Sequence, residues 1–141
     1  MNHWGARRRF VGFLWLAVPA IAMLAVAAPD ASAQSFPFGR ELRLDVNPMP
    51  GSKKVPVLDI GDRGVAEIDL WCGSVRAQLV VAANTITIIT GEKSSQPCAP
   101  DRVRADDELL AALNQATNWR MENSALVFTG GKTLRFRLQT N

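Results

Sequence analysis

The sequence predicts a mainly β protein, a small antiparallel β-barrel-like domain of about seven or eight strands with one α-helix. Apolar and polar residues alternate with a period of two over several short segments, as in strands with one buried face. Turn signals separate these segments, and one stretch repeats its leucines at helical spacing instead. Because many antiparallel strands accompany one helix, we expect a barrel rather than a sandwich.

The first 33 residues have the three regions of a signal peptide. Three arginines at positions 7–9 are followed by the apolar run "FVGFLWLAVPAIAMLAVAA" and then by "ASA", whose small residues suit a cleavage site. We therefore expect cleavage between Ala33 and Gln34, which leaves residues 34–141 as a single domain in the periplasm or outside the cell.

A membrane anchor is the alternative interpretation of the same segment, because its apolar run is just long enough to span a bilayer. Pro19 in the middle of the run and the "ASA" end favour cleavage. If the signal peptide is cleaved, we expect no stable insertion of the remaining domain in a membrane.

The charge balance changes when the predicted signal is set aside. The whole chain has 16 Lys and Arg against 13 Asp and Glu; residues 1–33 hold three of the arginines and one aspartate, which leaves 13 against 12. A basic protein would suggest nucleic acid or an anionic membrane as a partner. The near-neutral remainder, with its charges dispersed, does not predict a nucleic-acid partner.

Four segments of the predicted domain show the two-residue alternation clearly: "ELRLDV", "VAEIDLW", "TITIIT" and "TLRFRLQ". The turn signals "NPMPGSKK", "GDRG", "AAN" and "TGGKT" lie between strands, and the last suits a tight hairpin. The residues predicted to face the core are Leu42, Leu44, Val46, Ala66, Ile68, Leu70, Ile86, Ile88, Leu134, Phe136 and Leu138.

The two cysteines of the predicted domain, Cys72 and Cys98, are expected to meet. Strands at 65–71, 75–81 and 85–90 would form an antiparallel meander, so both cysteines fall at the same end of the sheet, about 10 Å apart. The segment between the third strand and Cys98 is long enough to close that gap. In an oxidising compartment we expect a disulfide worth about 3 kcal/mol, with two buried free thiols as the alternative. The absence of Cys-x-x-Cys spacing argues against a redox-active pair.

The stretch "ADDELLAALNQATNW" predicts the single helix, because Leu109, Leu110 and Leu113 recur at helical spacing. We expect Asp106 to cap its N-terminus, with Asp107 and the following glutamate favoured by the helix dipole. A metal site built from these three acids is the alternative, but helix-start chemistry accounts for all of them. The helix is expected to cover one open end or seam of the curled sheet.

Trp71 is the candidate interaction anchor. By strand parity it points away from the side that carries Ile68 and Leu70, and tryptophan is enriched at the energetic centres of protein interfaces. The alternative, which we favour, is that it packs under the loop of Cys98 or beneath the helix.

These segments together resemble the META domain, also called the heat-shock-protein HslJ-like family. The resemblance rests on "GVAEIDLWCGSVRAQLVVAANTITI" and "QPCAPDRVRADDELLAALNQATNWRMENSALVFTGGKTLRF", with Cys72 and Cys98 at the two cysteine positions of the family. It departs at Gly73 and Ala77, where the family usually has Asn and Gly. The resemblance implies a barrel-like fold with one helix in bacterial envelope proteins linked to stress or secretion, and it implies no catalytic residues.

The inventory of reactive side chains predicts no enzyme. His3 is the only histidine and lies in the predicted signal, and the chain has no tyrosine, so the domain has no imidazole for a histidine-based catalytic arrangement or for a zinc site. We expect no catalytic residues, no metal and no cofactor. The leading hypothesis is a non-catalytic envelope domain that binds another protein. The alternatives are a barrel that carries a small apolar ligand or lipid and, less favoured, a hydrolase that uses carboxylates.

Overall fold

In the computed structural model, which describes residues 34–139, eight strands form a closed antiparallel barrel in sequence order, with one helix inserted between the fifth and sixth strands. The strands are β1 (Arg40–Leu44), β2 (Val57–Ile60), β3 (Val65–Asp69), β4 (Gly73–Ala82), β5 (Thr85–Ser95), β6 (Asn118–Glu122), β7 (Ala125–Thr129) and β8 (Leu134–Leu138), and the helix is α1 (Pro100–Asn114). The predicted fold class is confirmed. The predicted signal peptide, including Ala33, lies outside the described residues and stays a prediction.

Two unequal joints close the barrel. β1 pairs with β8 through three aligned residue pairs, such as Leu44 with Phe136. β5 and β6 share only the pair Thr85 and Asn118, with a backbone hydrogen bond of 2.9 Å on either side of it. Helix α1 follows β5 in the chain and lies against it, so the helix covers the seam that β6 leaves open, as the sequence predicts.

Side chains fill the barrel interior. Every second residue of each strand faces the interior. Residues of α1 and of the segments before β1 and β2 join these side chains in one apolar cluster. The largest fully buried apolar side chains of this cluster are Leu42, Leu58, Ile60, Ile68, Leu70, Val75, Leu113, Leu126, Phe128 and Phe136. Burial of this set from water supplies the main stabilisation of so small a domain.

The end of the barrel opposite α1 is closed by the segment that precedes β1. Phe36 is buried in the core cluster, and its ring meets the ring of Trp119 edge-on at 5.0 Å between centroids. Gln34 exchanges two hydrogen bonds with the backbone of Met121. The described chain therefore begins at the opposite end of the barrel from the helix.

Three local predictions were wrong. Val46 was expected in the core but is 45% exposed, because β1 ends at Leu44 and the chain then turns outward. β5 continues to Ser95 rather than ending near residue 90, since it stays paired with β4 past a bulge that adds one residue to β5 between Thr90 and Lys93. The third error concerns the helix, which begins at Pro100 and not at Asp106.

Proline explains the early start of α1. Its fixed φ and missing N–H suit the first turn of a helix, and Pro100 follows Ala99, whose backbone is extended and whose side chain makes no capping hydrogen bond. Asp106 therefore lies in the second turn and cannot cap this helix. Its carboxylate has another role, described below.

Candidate functional site

The end of the barrel next to α1 holds the residues that the sequence singled out. The odd-numbered strands all run toward this end, so the segments after β1, β3 and β7 meet there. The helix contributes one face to it, because Ala105, Glu108, Leu109 and Ala112 are spaced three and four residues apart. Sequence spacing and strand direction together bring distant segments to one place.

The predicted disulfide fixes the turn between β3 and β4 to the segment before α1. Cys72 and Cys98 are bonded, with their Cα atoms 5.8 Å apart. The backbone N–H of Gln96 also donates to the carbonyl of Cys72 at 3.2 Å. The chain returns to this turn as an extension of β5 beside β4. The sequence analysis had predicted a loop for that segment.

Asp106 holds the same turn from the helix side. The carboxylate is completely buried: Oδ1 accepts the backbone N–H of Trp71 at 2.9 Å and Oδ2 accepts that of Cys72 at 3.1 Å. A carboxylate with two backbone donors makes strong charge-assisted hydrogen bonds. We call Asp106 together with the disulfide the turn clamp, because both fix residues 71–72 relative to α1.

Burial dominates the electrostatics of Asp106. Desolvation raises its pKa above the usual value of 3.8, while the hydrogen bonds from Trp71 and Cys72 and the positive charge of Lys93 act in the opposite direction. Asp107 adds a smaller upward effect, and its own carboxylate forms a surface ion pair with Lys93. The two adjacent acids thus differ completely in role, one being buried and structural and the other exposed.

Trp71 is half-buried and packs against the core cluster. Its indole Nε1 is buried and has no hydrogen-bond partner within residues 34–139. By contrast, Nε1 of Trp119 donates to the carbonyl of Ala83 at 2.8 Å. A buried donor without a partner is uncommon and calls for a physical explanation.

An apolar groove of about 390 Å³ opens on one side of Trp71. We call it the Trp71 groove; its apolar lining comes from Leu44, Val46, Met49, Trp71, Leu109 and Leu134. Charged residues of both signs stand at its edge, with Glu108 on the helix and Lys132 on the β7–β8 hairpin. Asp45 and Arg135, also at the edge, form an ion pair at 3.3 Å.

A second, more polar pocket of about 310 Å³ lies on the other side of Trp71. We call it the disulfide pocket, because both cysteines line it. Its other polar or charged lining residues include Lys54, Asp69, Ser74, Ser94 and Arg102. Trp71 is therefore the shared wall between an apolar and a polar depression.

Within residues 34–139 no group of three or more His, Cys, Asp or Glu could hold a metal ion. The hydroxyls of Ser74 and Ser94 contact each other at 3.1 Å, which pairs two hydroxyls rather than a nucleophile and a base. In the same part of the chain, no helix is both long and apolar enough to cross a bilayer.

The structure brings only some of the residues singled out from the sequence to this end of the barrel. Cys72, Cys98 and Trp71 come together there, whereas Gln34, next to the predicted cleavage site, lies at the opposite end. Asp106 was singled out for the wrong role, and the groove residues Met49 and Lys132 were not singled out at all.

A family model matches almost the whole of the described chain. The model of the META domain matches residues 41–141. The chain belongs to the META domain family. The predicted resemblance is thereby confirmed over the whole barrel and its helix.

Mycosin-4 of Mycobacterium tuberculosis (strain ATCC 25618 / H37Rv) is 31% identical to this META domain protein over 115 residues. The matched region covers 80% of the chain but 24% of Mycosin-4, so the chain spans about a quarter of the length of that relative.

Two NMR structures share the fold of this META domain. One, of a protein from Burkholderia xenovorans, has a TM-score of 0.57 at 16% identity and covers 81% of this chain and 98% of its own. The other has a TM-score of 0.57 at 12% identity, over 71% of this chain and 89% of its own. At such identities the likeness concerns the fold alone.

Proposed function

We propose that this META domain is a non-catalytic, exported binding module of the bacterial envelope, and that it holds a segment of a protein partner in the Trp71 groove. The observation that carries the proposal is the groove itself. It is apolar, has about the volume of a small-ligand site, and has as one wall a half-buried tryptophan whose Nε1 lacks a partner in the described chain.

The physical chemistry of the groove favours a protein segment. Tryptophan presents a large rigid surface and loses little conformational entropy on binding, which is why it is frequent at interface centres. The neighbouring Leu44, Met49 and Leu109 would surround one apolar side chain of the partner. The opposite charges of Glu108 and Lys132 suit a polar backbone or a mixed-charge sequence on either side of that side chain.

The alternative of a small apolar ligand inside the barrel has less support. Fully buried apolar side chains of every strand except β5 and β6 fill the interior, together with Leu113 of the helix, and the aromatic rings of Phe128 and Phe136 pack at 5.9 Å between centroids. A carrier barrel needs an interior cavity of ligand size. The Trp71 groove lies instead at the surface of one end.

The envelope location rests on the signal-like N-terminus and on the disulfide, because disulfides persist in oxidising compartments. A part in stress or secretion rests on the family resemblance.

Photo-crosslinking in cells that export the full chain tests the proposal. A benzoylphenylalanine in place of Val46, at the groove edge, is expected to give adducts of defined mass with a protein partner. Trp71→Ala should reduce these adducts at least tenfold, because loss of an interface-centre tryptophan costs about 2 kcal/mol or more of binding. Trp71→Phe should give an intermediate yield.

Val80 supplies the matched control. It is 53% exposed on β4 and is remote from the groove lining, so the same probe there should give none of these adducts. Equal adducts from both positions, or adducts from position 46 that survive Trp71→Ala in a folded variant, would contradict the proposal. An adduct with a lipid or small molecule alone would support the carrier alternative.

A further inference from the structure

We propose that the Cys72–Cys98 disulfide is a thiol–disulfide exchange site, at which a thiolate enters through the disulfide pocket and attacks the sulfur of Cys98. The spacing of the cysteines gave no reason to expect this reactivity. The pocket and its charges do, and the proposal does not depend on what occupies the Trp71 groove.

Access distinguishes the two cysteines. Both cysteines line the same open pocket of about 310 Å³, which is large enough to admit a small thiol. Cys72 is buried, at 8% exposure, whereas Cys98 is only half-buried. Which sulfur is attacked depends on access, so the structure assigns Cys98 as the site of entry.

The charges of the pocket favour the thiolate over the thiol. Lys54 and Arg102 line it, and among the described residues Lys54 alone of the two has a carboxylate partner, Asp69 at 2.9 Å. Arg102 donates from its terminal nitrogen to the carbonyl of Gly51 at 3.0 Å, and its buried Nε has no partner within residues 34–139. Nearby positive charge stabilises thiolates and attracts them from solution.

Reduction of the disulfide by thiol–disulfide exchange takes two steps. The incoming thiolate forms a bond to Sγ of Cys98, the Cys98–Cys72 bond breaks, and Cys72 leaves as a thiolate that takes a proton from water. With a dithiol reagent, its second thiol then attacks the reagent's own sulfur in the mixed disulfide, which releases Cys98. The reagent is oxidised to its disulfide and the protein is reduced to two thiols.

Reduction would alter one half of the turn clamp and leave the other half in place. Asp106 would still accept the backbone N–H groups of Trp71 and Cys72, so the turn and the barrel should persist. The segment from Gln96 to Pro100 would lose its covalent link. Exchange at this site would therefore loosen the start of α1 without unfolding the domain.

The test uses the native full chain with excess reduced glutathione, acid-quenched at early times and mapped by peptide mass spectrometry. The expected product carries glutathione on Cys98 and a free thiol on Cys72, while circular dichroism shows the barrel still folded. Arg102→Gln should slow the reaction several-fold. Arg104→Gln, on the same helix but outside the pocket lining, should leave the rate unchanged.

Three results would overturn the proposal. One is glutathione on Cys72, or equally on both cysteines. Another is adduct formation only at denaturant concentrations that unfold the barrel, which would make the disulfide a closed structural link. The third is an equal effect of Arg102→Gln and Arg104→Gln.

Discussion

Asp106→Ala is expected to lower the free energy of unfolding by about 3 kcal/mol. The substitution removes the acceptor of two backbone N–H groups, one of them buried, and a hydrogen bond to a charged group is worth roughly 1.5–3 kcal/mol. The desolvation of the carboxylate offsets part of that sum. Urea unfolding followed by circular dichroism at neutral pH measures the loss.

Asp107→Ala is the matched control for this loss. The neighbouring carboxylate is exposed and pairs only with Lys93 at the surface, and exposed pairs are worth at most about 1 kcal/mol. If the two variants lost equal stability, Asp106 would not be the organising acid of this end of the barrel.

The pH dependence of Asp106 has a definite sign. Burial raises its pKa in the native state above the usual value of 3.8, so the folded chain holds this proton more tightly than the unfolded chain does. The contribution of this group to the free energy of unfolding is fully present below pH 3.8 and is lost as the pH rises through the pKa of the folded state. Asp106→Asn lacks this titration, so the stability gap between wild type and variant should narrow over that window as the pH rises. A gap that widens would contradict the direction of the shift.

Removal of the disulfide is expected to have an effect of similar size. The cysteines are 26 residues apart, and closing a loop of that length is worth about 3.5 kcal/mol in the chain-entropy model. Cys72→Ala combined with Cys98→Ala should therefore lower the Tm by about 15 °C or more for a domain of roughly 100 residues. Calorimetry of the oxidised wild type and the double variant provides the comparison.

The reduced wild type serves as the control for the double variant. Both lack the covalent link, so their stabilities should agree within about 1 kcal/mol, the order of typical effects of point substitutions. A double variant as stable as the oxidised wild type would show that the link contributes nothing, and would weaken the description of the turn clamp.

Periodicity made the barrel predictable from sequence. Strands with one buried face leave a two-residue pattern, and the hairpin turns between them have their own residue signals. The same reasoning placed both cysteines at one end of the sheet. It misplaced Val46 because alternation does not show where a strand stops, and it shortened β5 because a bulge within β5 interrupts the alternation after Thr90.

Asp106 shows how a site residue was misread. The sequence placed it at the helix start, where aspartate is common. Pro100 was the better signal, since proline favours the first turn, and a start there puts Asp106 on the same face as Leu109 and Leu113. An acid on the apolar face of a helix predicts a buried carboxylate with specific donors. The identity of those donors, in a turn 34 and 35 residues away, depends on tertiary packing.

The groove could not be predicted at all. Its lining combines Met49 from the β1–β2 connection, Lys132 from a hairpin, one face of α1 and Trp71. Each of these residues has an ordinary role in its own segment. These four distant segments meet because barrel closure and the turn clamp fix their positions.

The groove and the exchange site both depend on Asp106, which holds the turn that carries Trp71 and Cys72. Residue-resolved amide hydrogen exchange in the native full chain tests this role of Asp106 most directly. We expect the amides of Trp71 and Cys72 to exchange as slowly as those of the barrel strands, and Asp106→Ala, but not Asp107→Ala, to accelerate the exchange of both. Exchange as fast as in the exposed β1–β2 connection, or acceleration by Asp107→Ala alone, would contradict this role.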